Sequence, residues 1–209
     1  HQPQAAGLRH LHDGTAIHGQ AYARPWRAVD AQTFHMRGGG DGWPWPYDLT
    51  MTITPAPARL DIAYRLQNLA DSPMPAGIGL HPWFRTPVEV TVPSTYAYRS
   101  NTDPTSRPDP VAPPLDLRTQ TLPADGLDAT WVTPNGPITL HWPGPAITAT
   151  LTTTPAAHVA VAVRPGGVDA VAVEPQIHAP GGLWRLLHGH PDAPAILDAG
   201  EHLELTCTL

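Results

Sequence analysis

The chain has 209 residues and a formal net charge of -6, and all 12 of its basic residues are arginine. Because lysine is absent, Schiff-base, pyridoxal-type and P-loop lysine chemistry is excluded. The acidic balance argues against a nucleic-acid surface. No stretch approaches the roughly 18 apolar residues of a membrane span, and residues 1–10 are too polar for a signal-peptide core. We therefore expect a cytoplasmic protein that binds neither nucleic acid nor membranes.

A chain of this length buries roughly 70% of its unfolded surface, which is enough for one domain without disulfides. We therefore expect a single domain over residues 1–209. The single cysteine, Cys207, lies in an apolar, strand-like stretch and is predicted to be a small buried hydrophobe.

Short β-strands are predicted along most of the chain, because 27 prolines and 18 glycines leave no long window for a helix. Apolar residues alternate with polar ones, as in half-buried strands. In chain order the candidates are Arg24–Ala31, Leu49–Ile53, Leu60–Leu66, Val88–Val92, Ile138–Trp142, Ile147–Thr153, Val159–Val163, Ala170–Glu174 and His202–Leu209. Residues 100–123 indicate a long surface connection, and residues 182–187 a short helical turn. The pattern predicts an all-β fold, a large antiparallel β-sandwich.

Two of these strands suggest where a ligand would bind. Ala160 and Ala162 share one face of their strand, and Ala170, Ala172 and Glu174 share one face of the next. We expect these small residues to form one roomy face, with Glu174 at its end and the following proline stopping the ladder.

The most informative segment is GIGLHPWF, residues 77–84, in which a histidine stands between glycines and a Pro-Trp-Phe exit. Pro82 favours an extended backbone at His81, so the imidazole is aimed rather than free. Histidine titrates near neutrality, and a carboxylate such as Glu174 at the edge of an apolar strand has its pKa raised by desolvation. The two therefore suit an acid and base pair. The residues alone also allow a hydrogen-bonded turn histidine and a solvated strand-end carboxylate.

The segments IHGQAYARPW (17–26), PMPAGIGLHPWF (73–84) and VAVEPQ (171–176) together resemble the aldose 1-epimerase, or galactose mutarotase-like, family. They occur in the family's order, and the resemblance extends to PAILDAGEHLELT near the C-terminus. It implies the mutarotase supersandwich fold and a cofactor-independent isomerase, one that interconverts the α and β anomers of a free hexose. In the family, the histidine matching His81 is the acid at the ring oxygen, and the glutamate matching Glu174 is the base at the anomeric hydroxyl.

The resemblance also implies substrate-binding residues. His18, in IHG, matches a second active-site histidine that binds the sugar, and Asp128, in GLDATW, matches an aspartate that accepts hydrogen bonds from sugar hydroxyls. His158 falls where the family has a polar sugar contact. Three tryptophans are further candidates for stacking on a sugar or for packing in the core, namely Trp26, Trp83 and Trp131.

One departure from the family is that the chain enters the pattern almost at IHG, without the strands and the arginine that normally precede it. We therefore expect an N-terminally shortened sandwich. Unpaired strand edges in such a sheet favour association with a second copy, so a homodimer is an expected assembly.

Four alternatives stay open at this point. His10 with His12, or His188 with His190, would make a two-ligand start for a zinc site, although no spacing supplies a third ligand and we expect no metal. A noncatalytic carbohydrate-binding sandwich would use the same aromatics without an acid and base pair. A glycosidase using Glu174 and Asp128 leaves His81 unexplained. A sugar-phosphate mutarotase would need arginines at the phosphate, for which Arg24 and Arg85 are the candidates.

Overall fold

The computed structural model describes residues 9–10, 16–40, 42–99, 101 and 103–209. Within these residues it contains eighteen β-strands and one short helix. The strands are β1 Arg9–His10, β2 Ala16–Ile17, β3 Arg27–Ala28, β4 Thr33–Gly40, β5 Trp43–Ala56, β6 Arg59–Asn68, β7 Met74–Ala76, β8 Trp83–Arg85, β9 Glu89–Thr91, β10 Tyr96–Tyr98, β11 Asp109–Pro110, β12 Leu127–Val132, β13 Ile138–Trp142, β14 Ile147–Thr154, β15 Val159–Arg164, β16 Ala170–Gln176, β17 Ala195–Leu197 and β18 His202–Thr208. The helix is α1, Gly182–Leu187.

The prediction of an antiparallel, all-β fold is confirmed, and the helical turn lies where it was expected. Strand β13 has the predicted bounds, whereas the expected strand Arg24–Ala31 shrinks to the two residues of β3. Cys207 is buried, and burial raises the pKa of its thiol to about 12, as expected for a small core residue. In the part of the chain that is described, no helix is long and apolar enough to cross a membrane.

The contacts divide the chain into two units. The first comprises the residues up to Ala76 together with Ala195–Leu205. In it, β3, β4, β5 and β6 pair in sequence order, each antiparallel to the next, and β17 pairs with β7.

The second unit comprises Gly77–Pro194 and Thr206–Leu209. It contains a six-stranded sheet in the order β11-β10-β12-β15-β16-β8. In it β14 also pairs with β13 and with the end of β18, and β13 pairs with β9. This unit holds four of the five predicted site residues.

The register of the six-stranded sheet overturns the expected alanine-lined face. Residues that are directly opposite share a face, and Ala162 lies opposite Val173 while Val163 lies opposite Ala172. The alanines of β15 and β16 therefore point to opposite sides of the sheet. Glu174 shares its face with Val161, not with the alanines of β15.

The expected stop at Pro175 is also wrong, because β16 continues to Gln176. Pro175 lies opposite Ala160, and its carbonyl accepts a hydrogen bond from the Leu80 amide at 3.2 Å. Because proline has no N–H, Pro175 cannot donate a hydrogen bond back to residue 80. The pairing loses that one hydrogen bond, but the strand continues.

The GIGLHPWF segment runs antiparallel along β16, and their register determines which side chains lie opposite each other. Gly79 bridges to Gln176, and Trp83 lies opposite Ala172. Two residues after Gly79 and two before Trp83, the same register sets His81 opposite Glu174. The amide of Ile177 also donates to the carbonyl of Ile78 at 3.1 Å, which extends the register beyond Gly79.

Glycine is required in this segment because β16 and the residues that follow it present large side chains to it. A Cβ on Gly77 would lie 2.0 Å from Cδ2 of His178, and one on Gly79 would lie 2.7 Å from Cγ of Gln176. Further along, where the segment carries Trp83 and then Arg85, the residues of β16 opposite them are alanines. Large residues therefore face small ones at each of these positions.

We expect Gly77→Ala to lower the free energy of unfolding by about 1–3 kcal/mol, because the added methyl group must displace the His178 ring. Urea denaturation measures the loss. Gly144→Ala is the matched control, since a Cβ there meets nothing within 4 Å, and it should change stability by about 0.5 kcal/mol or less. Equal effects of the two substitutions would contradict the proposed packing.

Candidate active site

His81 and Glu174 form the centre of the candidate site. Nε2 of His81 lies 3.1 Å from Oε1 of Glu174. The side chain of Glu174 is only 3% exposed, whereas that of His81 is 32% exposed. A buried carboxyl group therefore contacts a partly exposed imidazole, and the structure brings together the two residues that the sequence analysis proposed as a pair.

The pairing of small with large residues along the segment makes this contact unusual. Glycine or alanine occupies one side at Gly79 opposite Gln176 and at Trp83 opposite Ala172. At His81 and Glu174 both partners have long polar side chains. The register therefore forces their functional atoms together.

Burial changes the proton affinity of both groups. It raises the pKa of Glu174 to about 7, against the hydrogen bond from Gln176, which lowers it, and with a smaller raising effect from the charge of Asp128. Burial also lowers the pKa of His81, against a backbone hydrogen bond that raises it. Burial therefore strengthens the hold of Glu174 on a proton and weakens that of His81, so when the pair holds one proton the carboxyl group competes with the imidazole for it.

The two oxygens of the Glu174 carboxylate have different surroundings. Oε2 accepts a hydrogen bond from Nε2 of Gln176 at 3.0 Å. Oε1 is buried and accepts no hydrogen bond of good geometry from the described residues, although the His81 ring is at ion-pair distance. An oxygen with an unused lone pair beside an imidazole is suited to accept a proton from a ligand.

Gln176 and His178 are functional candidates that the sequence analysis missed. Gln176 follows Glu174 by two residues on β16, which is the strand period, so the alternation was the available signal for it, and His178 lies two residues further on, past the end of the strand. Nδ1 of His178 lies 2.9 Å from the carbonyl oxygen of Ala179. Burial lowers the pKa of His178, and the charge of His158 lowers it further.

Asp128 lies on β12, on the same face of the sheet as Glu174. It is opposite Val163, and its neighbour on that face, Thr130, is opposite Val161, which in turn is opposite Glu174. The side-chain amide of Asn101 donates to Oδ1 of Asp128 and accepts from the hydroxyl of Thr130. Asp128 is therefore an exposed carboxylate with one oxygen already oriented, close enough for its charge to act on Glu174.

The other two predicted sugar contacts are both exposed. The backbone carbonyl of His158 accepts a hydrogen bond from the amide of Thr133 at 2.6 Å, which fixes the entry to β15. His18 belongs to the first unit, has a positive φ of 58°, and makes an edge contact with the ring of Tyr22 at 5.6 Å. Their sugar-binding roles stay predictions.

The three tryptophans occupy different environments. Trp131 is fully buried on the face opposite Glu174 and donates its indole N–H to Leu115, so it belongs to the core. Trp83 is 50% exposed, with its ring centroid 5.4 Å from that of His81. Trp26 lies in the first unit and donates to the carbonyl of Ala21. Of these three tryptophans, only Trp83 contacts His81.

The candidate zinc ligands have other contacts. His188 stacks on Trp184 with centroids 4.0 Å apart, and His190 packs edge-on against the same ring. The alternative His10 and His12 pair lies outside the side chains that are described. Among those described, no group of three or more histidine, cysteine, aspartate or glutamate side chains is arranged to hold a metal ion.

The sequence model of the aldose 1-epimerase family matches residues 8–209. The chain belongs to the aldose 1-epimerase family. A search of curated protein sequences gave no significant match.

Solved structures share the fold of this family member. A proposed aldose 1-epimerase from Escherichia coli K12 superimposes with a TM-score of 0.78 at 17% identity, covering 97% of this chain and 78% of the other. The Slr1438 protein from Synechocystis sp. PCC 6803 gives 0.74 at 15% identity, covering 99% and 72%. A galactose mutarotase-like protein from Lactobacillus casei gives 0.71 at 17% identity, covering 97% and 79%. At these identities the likeness shows the fold, and the roles of residues in this aldose 1-epimerase family member rest on its own geometry.

We expect Glu174→Gln to stabilise the protein at pH 8 and to have little effect at pH 4.5. The folded pKa of about 7 exceeds the ordinary glutamate pKa of 4.5, so the folded state binds the extra proton and wild-type stability falls as pH rises through this window. The shift corresponds to about 3 kcal/mol as an upper limit. Thermal unfolding of both proteins from pH 4.5 to pH 8 measures it, and parallel stability curves would contradict a raised pKa at Glu174.

Proposed function

We propose that this protein is an aldose 1-epimerase that interconverts the α and β anomers of a free hexose by acid-base ring opening, without a cofactor. The observation that carries the proposal is the contact between His81 and Glu174, with 3.1 Å between Nε2 and Oε1. Simple sugar binding does not require a buried carboxyl group with a pKa of about 7 beside an imidazole. Membership of the family supports the same reaction.

The chemistry explains why the two groups must be close. Opening the ring transfers a proton to the ring oxygen and removes one from the anomeric hydroxyl, and both oxygens are bonded to the same carbon. An acid and a base must therefore reach two atoms that are neighbours. Bond rotation in the open aldehyde and reclosure then give the other anomer, with the roles of the two groups reversed.

The reaction requires that His81 and Glu174 together hold one proton. Ring opening begins with the proton on His81 and with Glu174 ionised, so that His81 donates to the ring oxygen while Oε1 accepts from the anomeric hydroxyl. In the free protein the pKa order favours the proton on Glu174. To reach the required state, that proton moves across the 3.1 Å from Oε1 of Glu174 to Nε2 of His81. A sugar hydroxyl group donating to Oε1 would stabilise the ionised carboxylate that results.

Residues around the pair supply the proposed sugar surface. Trp83, half exposed beside His81, offers an apolar face on which a pyranose ring can pack. Asp128, with one oxygen held by Asn101, can accept hydrogen bonds from hydroxyl groups. His158 is a further proposed substrate contact in this unit, and the sugar-binding role predicted for His18, in the first unit, rests on the family resemblance alone.

A phosphorylated hexose is the second candidate substrate. Arg85 lies opposite Ala170, on the same face as Trp83 and two residues beyond it, and is exposed. Its guanidinium group would suit a phosphate. The other candidate, Arg24, lies in the first unit and donates to the carbonyl of Gly39.

Polarimetry on freshly dissolved α-glucose, α-galactose and a hexose 6-phosphate tests the proposal. Wild-type protein should accelerate mutarotation of at least one, while His81→Ala and Glu174→Gln should each lose more than about 10²-fold, because each removes a proton-transfer group. His202→Ala and Glu204→Gln are matched controls, since both residues are exposed, and they should retain wild-type rates. If wild-type protein leaves the spontaneous rate unchanged for every aldose while still binding one, the noncatalytic alternative replaces the enzyme.

The pH dependence of kcat/KM should be bell-shaped, since this ratio reports ionisations in the free enzyme. At low pH both groups are protonated and no base remains. As pH rises through about 7, Glu174 loses its proton and the pair holds none, so the rate falls again. Polarimetric rates from pH 5 to pH 9, corrected for the spontaneous reaction, measure the profile, and a rate that rises monotonically with pH would contradict a one-proton pair.

A further inference from the structure

We propose that Gln176 is a positioning residue that holds Oε2 of Glu174, so that Oε1 is the atom that exchanges the proton. This inference rests on the proposed function and adds a residue to it. It starts from the hydrogen bond that Nε2 of Gln176 donates to Oε2 at 3.0 Å.

The backbone fixes where Gln176 can reach. Gln176 lies two residues after Glu174 on β16, on the same face, and is opposite Val159 on one side and bridged to Gly79 on the other. Its side chain therefore starts from a clamped position and runs alongside Glu174.

Gly79 provides the space that the side chain of Gln176 occupies. A Cβ at residue 79 would lie 2.7 Å from Cγ and 3.2 Å from Cδ of Gln176, so the side chain of Gln176 fills the space that the glycine leaves open. The glycine has no positive φ that would explain it on backbone grounds. The close approach of Gln176 is the physical reason for glycine at this position.

The hydrogen bond separates the two oxygens of the carboxylate. With Oε2 occupied by an amide donor, Oε1 is the oxygen that lies beside His81. An N–H donor also favours the ionised form of the carboxylate, which the base must adopt in spite of its burial. Gln176 thus orients the base and offsets part of the cost of its charge.

The test compares Gln176→Leu with wild-type protein, first without sugar. Carbon-13 NMR of the glutamate side-chain carboxyl groups, with the Glu174 signal identified by its loss in Glu174→Gln, gives the titration midpoint. We expect Gln176→Leu to move the midpoint upward by on the order of one pH unit, because a hydrogen bond to a charged group is lost. Gln120→Leu, at an exposed glutamine, is the matched control and should leave the midpoint unchanged.

The same variants are then assayed by polarimetry. Gln176→Leu should lower kcat by about tenfold or more with little change in KM, because it affects the base rather than sugar binding. Gly79→Ala keeps the Gln176 amide but displaces it. It should therefore shift the Glu174 midpoint and kcat in the same directions as Gln176→Leu. Gly144→Ala controls for the added methyl group.

The outcomes distinguish this inference from the proposed function. If wild-type protein is active and the Glu174 midpoint is the same in wild type, Gln176→Leu and Gly79→Ala, the positioning role is overturned and the enzyme stands. If the midpoint moves but kcat does not, the hydrogen bond is structural and the positioning role is again overturned. If wild-type protein turns over no aldose, the proposed enzymatic function is contradicted. The positioning role of Gln176 in that reaction is then contradicted as well, whatever the titration shows.

Discussion

The antiparallel register between residues 77–85 and strand β16 is the constraint on which the candidate site depends. It brings two residues together that are more than ninety positions apart in the chain. A slip of one residue would turn every side chain of the segment to the other face of the sheet. The alternation of small and large residues across the pairing fixes the register, because a shifted pairing would set the ring of His178 or the chain of Gln176 against a side chain instead of a glycine.

The same burial that tunes Glu174 also destabilises it when it is ionised. A carboxyl group that is 3% exposed keeps its proton to higher pH, which makes it a base of suitable strength near neutrality but costs folding free energy above that pH. A glutamine at position 174 would fold more easily and could not accept the proton. The proposed function accounts for such a local conflict between stability and chemistry.

Particular residues show how far the sequence could be interpreted. The alternation in 138–142 and the apolar repeats of β15 and β16 predicted strands, because strand formation depends on a local period of two. The prediction of a shared alanine face was wrong for the opposite reason. Each strand does have a face of small residues, but whether the two faces lie on the same side of the sheet depends on the register between the strands, which no single segment contains. Gln176 was missed although the alternation pointed to it, since nothing local indicates that its amide reaches the carboxylate.

What the sequence determined by itself was the class of fold, the family and, through GIGLHPWF and VEPQ, the two segments that carry the candidate residues. These are properties of short stretches, in which backbone preference and side-chain period act over a few residues. Only the tertiary structure decided the 3.1 Å contact of His81 with Glu174, the assignment of one carboxylate oxygen to Gln176 and the burial of Trp131 away from the site. Distances, desolvation and the choice of face arise when distant strands pair, because the free energy of each group depends on neighbours that the chain brings to it only on folding.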